Sequence, residues 1–284
     1  MNASPQSQPQ LSLHAATTSG GSNSGTSNAS ALAHIVIPAR LASTRLPEKL
    51  LLRETGKTVL QHTHEAASAA ELPSGITVAV DNPVLQETVH GFGGRVVMTD
   101  PALPSGTDRV AVVAEQMPDV EVFINVQGDE PEISADAIDQ VAQLLIDNPS
   151  ADVATVAAPI RDRDRLDNPA CVKVVRDTNG KAMYFSRCPI PHARSWNDEL
   201  LAQDPPMFLQ HIGIYAYRRS FLLQLAELPP SPLESIERLE QLRFLSAGAS
   251  ILVGQINHAL KGIDTADDYR AFVHRYYSSA RSAA

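Results

Sequence analysis

Arg40, Arg45 and Lys49 fall within ten residues of one another, in a stretch that reads V-I-P-A-R-L-A-S-T-R-L-P-E-K from Val36 to Lys49. The three cations stand among small and rigid residues rather than along an amphipathic face. An apolar run, Ile35, Val36 and Ile37, stops at Pro38 just before them. A strand that ends in such a loop presents backbone N–H groups and fixed positive charge at the carboxyl edge of a sheet, where open α/β proteins bind phosphorylated ligands. A solvated basic turn after an edge strand would use the same residues.

Acidic chemistry is available at two other points. Asn125-Val126-Gln127-Gly128-Asp129-Glu130-Pro131 follows an apolar run, so Asp129 reaches the same carboxyl edge. A hard cation such as Mg²⁺ takes one or two carboxylates together with phosphate oxygens, and Asp129 opposite Arg40, Arg45 and Lys49 would build a metal–triphosphate site. An acidic turn capping the helix that starts near Ser134 is the plainer alternative. In Gly262-Ile263-Asp264-Thr265-Ala266-Asp267-Asp268, Thr265 suits an N-cap and the aspartates after it suit a first helical turn. Capping does not account for Asp264, which is read as a second metal carboxylate. Pro104-Ser105-Gly106-Thr107-Asp108-Arg109 is a turn running into a helix; its N–H groups and the Ser105 hydroxyl would serve a ligand or an ordinary N-cap.

The elements that must position these residues alternate. Helices are predicted at 58–71, 84–90, 106–116 and 135–145, and strands at 76–80, 95–98, 120–126 and 153–157, from apolar periodicity and β-branched runs. Such alternation is the signature of a mostly parallel, Rossmann-like sheet with helices on both faces. The pattern then changes. Val172–Val175 and Ala182–Phe185 flank Asp177-Thr178-Asn179-Gly180, a strong hairpin signal. One more strand is expected at 211–217, with Tyr215 and Tyr217 on one face, and helices at 219–225, 233–245 and 266–277.

Composition narrows the class. The chain of 284 residues is 43% hydrophobic, which is globular, and no apolar run approaches the length that spans a bilayer. A net charge of −9 argues against nucleic acid as a partner. Two cysteines, Cys171 and Cys188, are too few for a disulfide framework and indicate a reducing, cytoplasmic setting; Cys188 has no His or Asn signature of a nucleophile beside it. Residues 1–33 hold no Lys, Arg, Asp or Glu and are rich in Ser, Asn, Gln, Gly and Thr. They are expected to be a disordered extension, with the folded unit at 34–284.

Taken together, the loop from Val36 to Lys49, Ser105–Arg109, Asn125–Pro131 and Gly262–Asp268 resemble the 3-deoxy-manno-octulosonate (Kdo) cytidylyltransferases, or CMP-Kdo synthetases. The resemblance continues through Asn168–Val175, Tyr184–Arg187, His211–Tyr215, Ser231–Glu234 and Leu239–Arg243, and spans about residues 34–275. It implies a nucleotidyltransferase domain with an inserted hairpin and sheet region, at about 160–217, that forms a homodimer. It also implies an activity: CTP and Kdo give CMP-Kdo, for lipopolysaccharide biosynthesis, and pyrophosphate. By motif, Arg40, Arg45 and Lys49 would hold the CTP phosphates. Ser105, Arg109 and Gln127 would contact the nucleoside side, and Asp129 and Asp264 would bind Mg²⁺. Arg187, His211, Tyr215, Glu240 and Gln241 would line the sugar site, where the planar fork of Arg187 suits a carboxylate. Read without the resemblance, Arg187 is a surface cation, His211 and Tyr215 are core, and Glu240 and Gln241 lie on a solvated helix face. The chain departs from the family at Glu48, where Leu-Pro-Gly-Lys is usual. The alternatives are a synthetase for a related acidic sugar, an 8-amino-Kdo or a sialic acid, and a non-catalytic nucleotide-binding module.

Overall fold

The computed structural model describes residues 33–225, 227–257 and 262–282. The expected extension, apart from Ala33, lies outside the described residues. The chain runs β1 (Ala33–Ala39), α1 (Val59–Ala67), β2 (Ile76–Val80), α2 (Pro83–Gly91), β3 (Arg95–Met98), α3 (Gly106–Glu115), β4 (Val122–Asn125), α4 (Ala135–Asp147) and β5 (Val153–Pro159). It continues with α5 (Arg163–Asp167), β6 (Lys173–Arg176), β7 (Ala182–Ser186), α6 (Glu199–Ala202), β8 (Leu209–Arg218), α7 (Arg219–Leu225), α8 (Pro232–Glu237), α9 (Gln241–Ser246), β9 (Ile251–Gln255) and α10 (Ala266–Ser282).

The sheet order is β3-β2-β1-β4-β8-β5-β9, with β6 on β8 and β7 on β6. The run β3-β2-β1-β4 is parallel, and β9 lies parallel to β5; β8 pairs antiparallel with β4, β5 and β6. Every residue of β1 is buried, as a strand covered on both faces requires. One apolar layer joins it to Leu60 of α1, Leu85 of α2 and Ile138 of α4. The opposite layer gathers Val110 of α3, Leu222 of α7 and Leu242 of α9. Helices therefore cover both faces, as expected. At β1 the strand order reverses, with β2 on one side and β4 on the other, and ligands of open α/β sheets bind outside the carboxyl ends at such a point.

Several expectations are corrected. β1 runs through Pro38 to Ala39, paired with β2. The first helix ends at Ala67, not near residue 71: Ser68 Oγ donates to the His64 carbonyl at 2.7 Å, and Asp139 accepts from the Glu71 and Leu72 amides, which turns the chain. The single helix expected at 233–245 is two, α8 and α9, broken at Arg238, whose φ of 54° is left-handed. The edge strand β9 carries no counterpart in the sequence reading. The hairpin forms as expected: Asp177 Oδ1 accepts from the amides of Asn179 and Lys181 at 2.8 Å, and Gly180 takes φ 81°.

Candidate active site

The loop after β1 and the loop after β4 meet in a cleft of about 480 Å³, lined among others by Arg40, Arg45, Lys49, Gln127, Asp129 and Asp264. Gly128 permits the approach, since a Cβ there would stand 3.1 Å from the Pro38 carbonyl oxygen. The segment before α10 is strapped on by its backbone: the Ile263 amide donates to the Asp129 carbonyl at 2.8 Å. Two carboxylates distant in sequence thus converge on one ammonium. Lys49 Nζ is ion-paired with Asp129 Oδ2, lies 3.3 Å from Asp264 Oδ1 and donates to the Ile263 carbonyl at 3.0 Å. Arg45 reaches the same oxygen, Asp264 Oδ1, at 2.9 Å. Arg40 donates to the Pro104 carbonyl at 2.9 Å, joining this loop to the turn before α3. The position of Lys49 Nζ between both carboxylates is where a cation fits.

Glu130, beside Asp129, was not singled out by sequence reasoning. Burial, then the charges of Asp129 and Asp264, push its carboxyl up to about 8, so it stays protonated at neutral pH. Its buried Oε2 has no hydrogen-bond partner among the described residues.

The residues expected on the nucleoside side separate. Gln127 lines the cleft and donates to Asn125 Oδ1 at 3.3 Å. The Ser105 hydroxyl is held in the capping box of α3, donating to Asp108 Oδ2 at 2.6 Å and accepting from the Asp108 amide. Arg109 is wholly buried; its guanidinium donates to Thr99 Oγ1 at 2.6 Å and the Asp100 carbonyl at 3.0 Å, and stands 3.5 Å from Asp81 Oδ2. Asp81 Oδ1 accepts from the Leu41 amide at 3.0 Å. Arg109 therefore reaches the loop after β1 through Asp81, a residue sequence reasoning missed because only the fold brings the end of β2 to Leu41.

The residues expected on the sugar side gather around β7, β8 and the α8–α9 break, beyond the Pro104–Asp108 turn. A second hollow there, of about 500 Å³, is lined by Ser105, Asp108, Glu234, Arg238, Glu240 and Arg243 among others. Glu240 accepts from Thr107 Oγ1 at 2.9 Å and from Arg243 at 3.0 Å, and burial raises its carboxyl. Gln241 is buried at the start of α9. Tyr215 is buried and stacks on Tyr217 at 5.7 Å, on one face of β8 as expected. His211 packs edge-on against Phe185 at 5.1 Å and shares a 3.0 Å hydrogen bond with Thr155. Arg187 directly follows β7, with its guanidinium against backbone carbonyls of Pro169, Glu237 and Arg238.

Burial lowers the His211 imidazole to about 3, so it is neutral in the fold and takes up its proton only on unfolding. A depressed histidine contributes stability that is present above its unfolded pKa, about 6.5, and lost as pH falls from there toward the folded value. Replacing His211 with Gln removes that proton uptake. The urea-unfolding free energy of the variant should fall less steeply than the parent's between pH 6 and 4, by about 1.4 kcal/mol per pH unit. Equal slopes would contradict a neutral buried imidazole.

Glu48 takes φ 50°, ψ 30°, the left-handed conformation a glycine adopts freely. It is exposed and borders a neighbouring hollow with Leu41, Asp81 and Pro101, while Lys49 borders the cleft. The strain of about 1–2 kcal/mol exceeds the roughly 0.5–1 kcal/mol of added unfolded-state freedom that glycine brings. Glu48→Gly should therefore stabilise the fold by about 0.5–1 kcal/mol in urea titration, with the KM for CTP lowered or unchanged. A marked rise in that KM would show that the carboxylate assists binding.

Cationic and carboxylate loops meeting at the switch point of a parallel sheet make a site for a phosphorylated ligand, and the class this fold and site fit is the nucleotidyltransferases. The cytidylyltransferase family model matches residues 34–251. The 3-deoxy-manno-octulosonate cytidylyltransferase of Rhodopirellula baltica is 51% identical over 86% of this chain and 98% of its own length, and that of Geobacter sulfurreducens is 44% identical over 82% and 94%. The structure of a CMP:2-keto-3-deoxy-manno-octonic acid synthetase complexed with CTP aligns at a TM-score of 0.81 and 38% identity, over 87% of this chain and 99% of that one. The chain belongs to the 3-deoxy-manno-octulosonate cytidylyltransferase family.

Proposed function

We propose that the cleft between the loops after β1 and β4 transfers the CMP group from CTP to Kdo and releases pyrophosphate. The observation that carries the reading is the seat of Lys49 between Asp129 and Asp264, flanked by Arg45 and Arg40, in a member of this family. The anomeric hydroxyl of the sugar attacks the α-phosphorus in line, and the bond to the β-phosphate oxygen breaks. Arg40, Arg45 and Lys49 neutralise the charge that grows on the phosphates and on the leaving pyrophosphate. Asp129 and Asp264 would hold Mg²⁺, whose preferred set is one or two carboxylates with phosphate oxygens. Bound there, Mg²⁺ supplies charge neutralisation and acidifies the sugar hydroxyl. Gln127 would contact the nucleoside, with the capped turn at Ser105 and the buried Arg109–Asp81 pair holding the loops around it. Arg187, His211, Tyr215, Glu240 and Gln241 would form the sugar side, with two N–H groups of Arg187 left for the sugar carboxylate.

No helix of the described residues is long and apolar enough to cross a membrane. Both cysteines are free thiols, which fits a reducing, cytoplasmic setting. Exposed Met183, Met207 and Ile236, on and beside the inserted hairpin, supply apolar surface for a homodimer. The deciding experiment is a pyrophosphate-release assay with Mg²⁺ and CTP against Kdo, 8-amino-Kdo and a sialic acid. Release with Kdo is expected. Activity only with UTP or ATP, or with none of the sugars, would defeat the proposal.

A further inference from the structure

Lys173 lies in β6 and is wholly buried, yet the reaction as derived leaves it without a task. Buried ammonium groups ordinarily sit on a carboxylate. Lys173 Nζ instead donates to three backbone carbonyls: Asn168 at 3.0 Å, Cys171 at 2.6 Å and Arg187 at 2.6 Å. Those bonds use all three of its donors. Two of the carbonyls belong to the 168–171 turn, and the third is the main chain of Arg187.

Arg187 closes the same ring from above. Its Nη1 donates to the Pro169 carbonyl at 3.0 Å, Nε to the Glu237 carbonyl at 2.6 Å and Nη2 to the Arg238 carbonyl at 3.3 Å. Its amide donates to Glu237 Oε2 at 2.9 Å, and Ser186 Oγ donates to Glu237 Oε1 at 2.7 Å. A guanidinium has five N–H donors, so three bonds leave two, one on each terminal nitrogen, which is what a bidentate carboxylate needs. Desolvating an ion costs several kcal/mol. What the ammonium returns is geometry: the 168–171 turn and the Arg187 main chain are held within hydrogen-bond reach of one atom.

We propose that Lys173 is a positioning residue for recognition of the sugar's carboxylate, fixing the main chain of Arg187 so that its two remaining N–H groups are aimed at that carboxylate. The proposal rests on the reading of Arg187 as a sugar-site residue. It acts on sugar binding alone, because Lys173 touches neither the phosphate loop nor the Asp129 segment. The test is steady-state kinetics on the full chain with Kdo and CTP varied in turn. Arg187→Ala is expected to raise the KM for Kdo at least tenfold with the KM for CTP within twofold. Lys173→Met should raise the KM for Kdo about tenfold with the same split. It should add less than twofold in the Arg187→Ala background, where no guanidinium remains to be misplaced.

An Arg187→Ala variant with an unchanged KM for Kdo removes the reading of Arg187 and the proposal with it. If Arg187→Ala has its effect but a folded Lys173→Met leaves the KM for Kdo unchanged, or raises both KM values together, the proposal alone is overturned. Lys173→Gln keeps a donor for the carbonyls and serves where the Met variant does not fold. At least a threefold rise in the KM for Kdo alone is expected of it, and a parental value overturns the proposal.

Discussion

Asp129→Asn is expected to lower kcat by about 10²–10³-fold, the loss typical of removing one group preorganised for developing charge. The substitution keeps the shape and removes one charge. Asp129 is the less exposed of the two carboxylates, its side chain 24% accessible against 47% for Asp264, and it sits on the rigid turn after β4. A charge in that setting is screened less by water, so its removal is felt more. Asp264→Asn should be the milder variant, its carboxylate being also half-neutralised by Arg45. Pyrophosphate release measured across a Mg²⁺ titration checks both: the Mg²⁺ needed for half-maximal rate should rise about tenfold in Asp129→Asn, equal to roughly 1.4 kcal/mol of weaker metal binding. A kcat within fivefold of the parent, at unchanged Mg²⁺ dependence, would mean that Asp129 is a capping acid and no more.

The parallel core was legible because its strands are short, β-branched runs bounded by turn residues: 76–80 and 95–98 match β2 and β3 residue for residue, although β2 includes Thr77 and β3 opens on Arg95. The cation loop and Asp129 were legible because each directly follows such a strand, and in a parallel sheet those ends share one edge. Asp264 is harder to read. It follows no strand in that run, and what brings it to the cleft is a pair of backbone contacts at Ile263 that leave no pattern in the sequence. The break at Arg238 was invisible for a related reason: the residues at 233–245 keep a helical apolar spacing, while Leu239 and Leu242 are buried against the core and Glu240 is bonded to Thr107. Asp81, Lys173 and Glu237 act on main-chain atoms of other segments, so residue type and spacing say nothing of them. Residue type and spacing leave Ser105 open between a ligand contact and an N-cap, and only packing shows its hydroxyl in a cap and Arg109 in a buried ion pair.

Lys49→Met should produce two effects of opposite sign, which separates an electrostatic role from simple damage. In the parent, the ammonium, 15% exposed, is the cation shared by Asp129 and Asp264. Without it the two carboxylates face each other across the cleft beside protonated Glu130, with only Arg45 near Asp264. Breaking a fully buried pair costs about 3–5 kcal/mol, and solvent at this half-open cleft reduces that to about 1–2 kcal/mol of lost stability in metal-free protein. A divalent cation then meets an uncompensated pair and has no ammonium to displace. Mg²⁺ should therefore bind the variant more tightly than the parent. Because a ligand that binds only the folded state stabilises it by RT ln(1 + [L]/Kd), the rise in Tm on adding a fixed Mg²⁺ concentration should be larger in the variant. Catalysis should move the other way, with kcat/KM for CTP falling at least about 10²-fold, since the charge that neutralises the triphosphate is gone. Thermal denaturation with and without Mg²⁺, run beside the pyrophosphate assay, reads both effects. Equal Mg²⁺ stabilisation in the two proteins would show that Lys49 does not hold the cation position between Asp129 and Asp264, whatever happens to the rate.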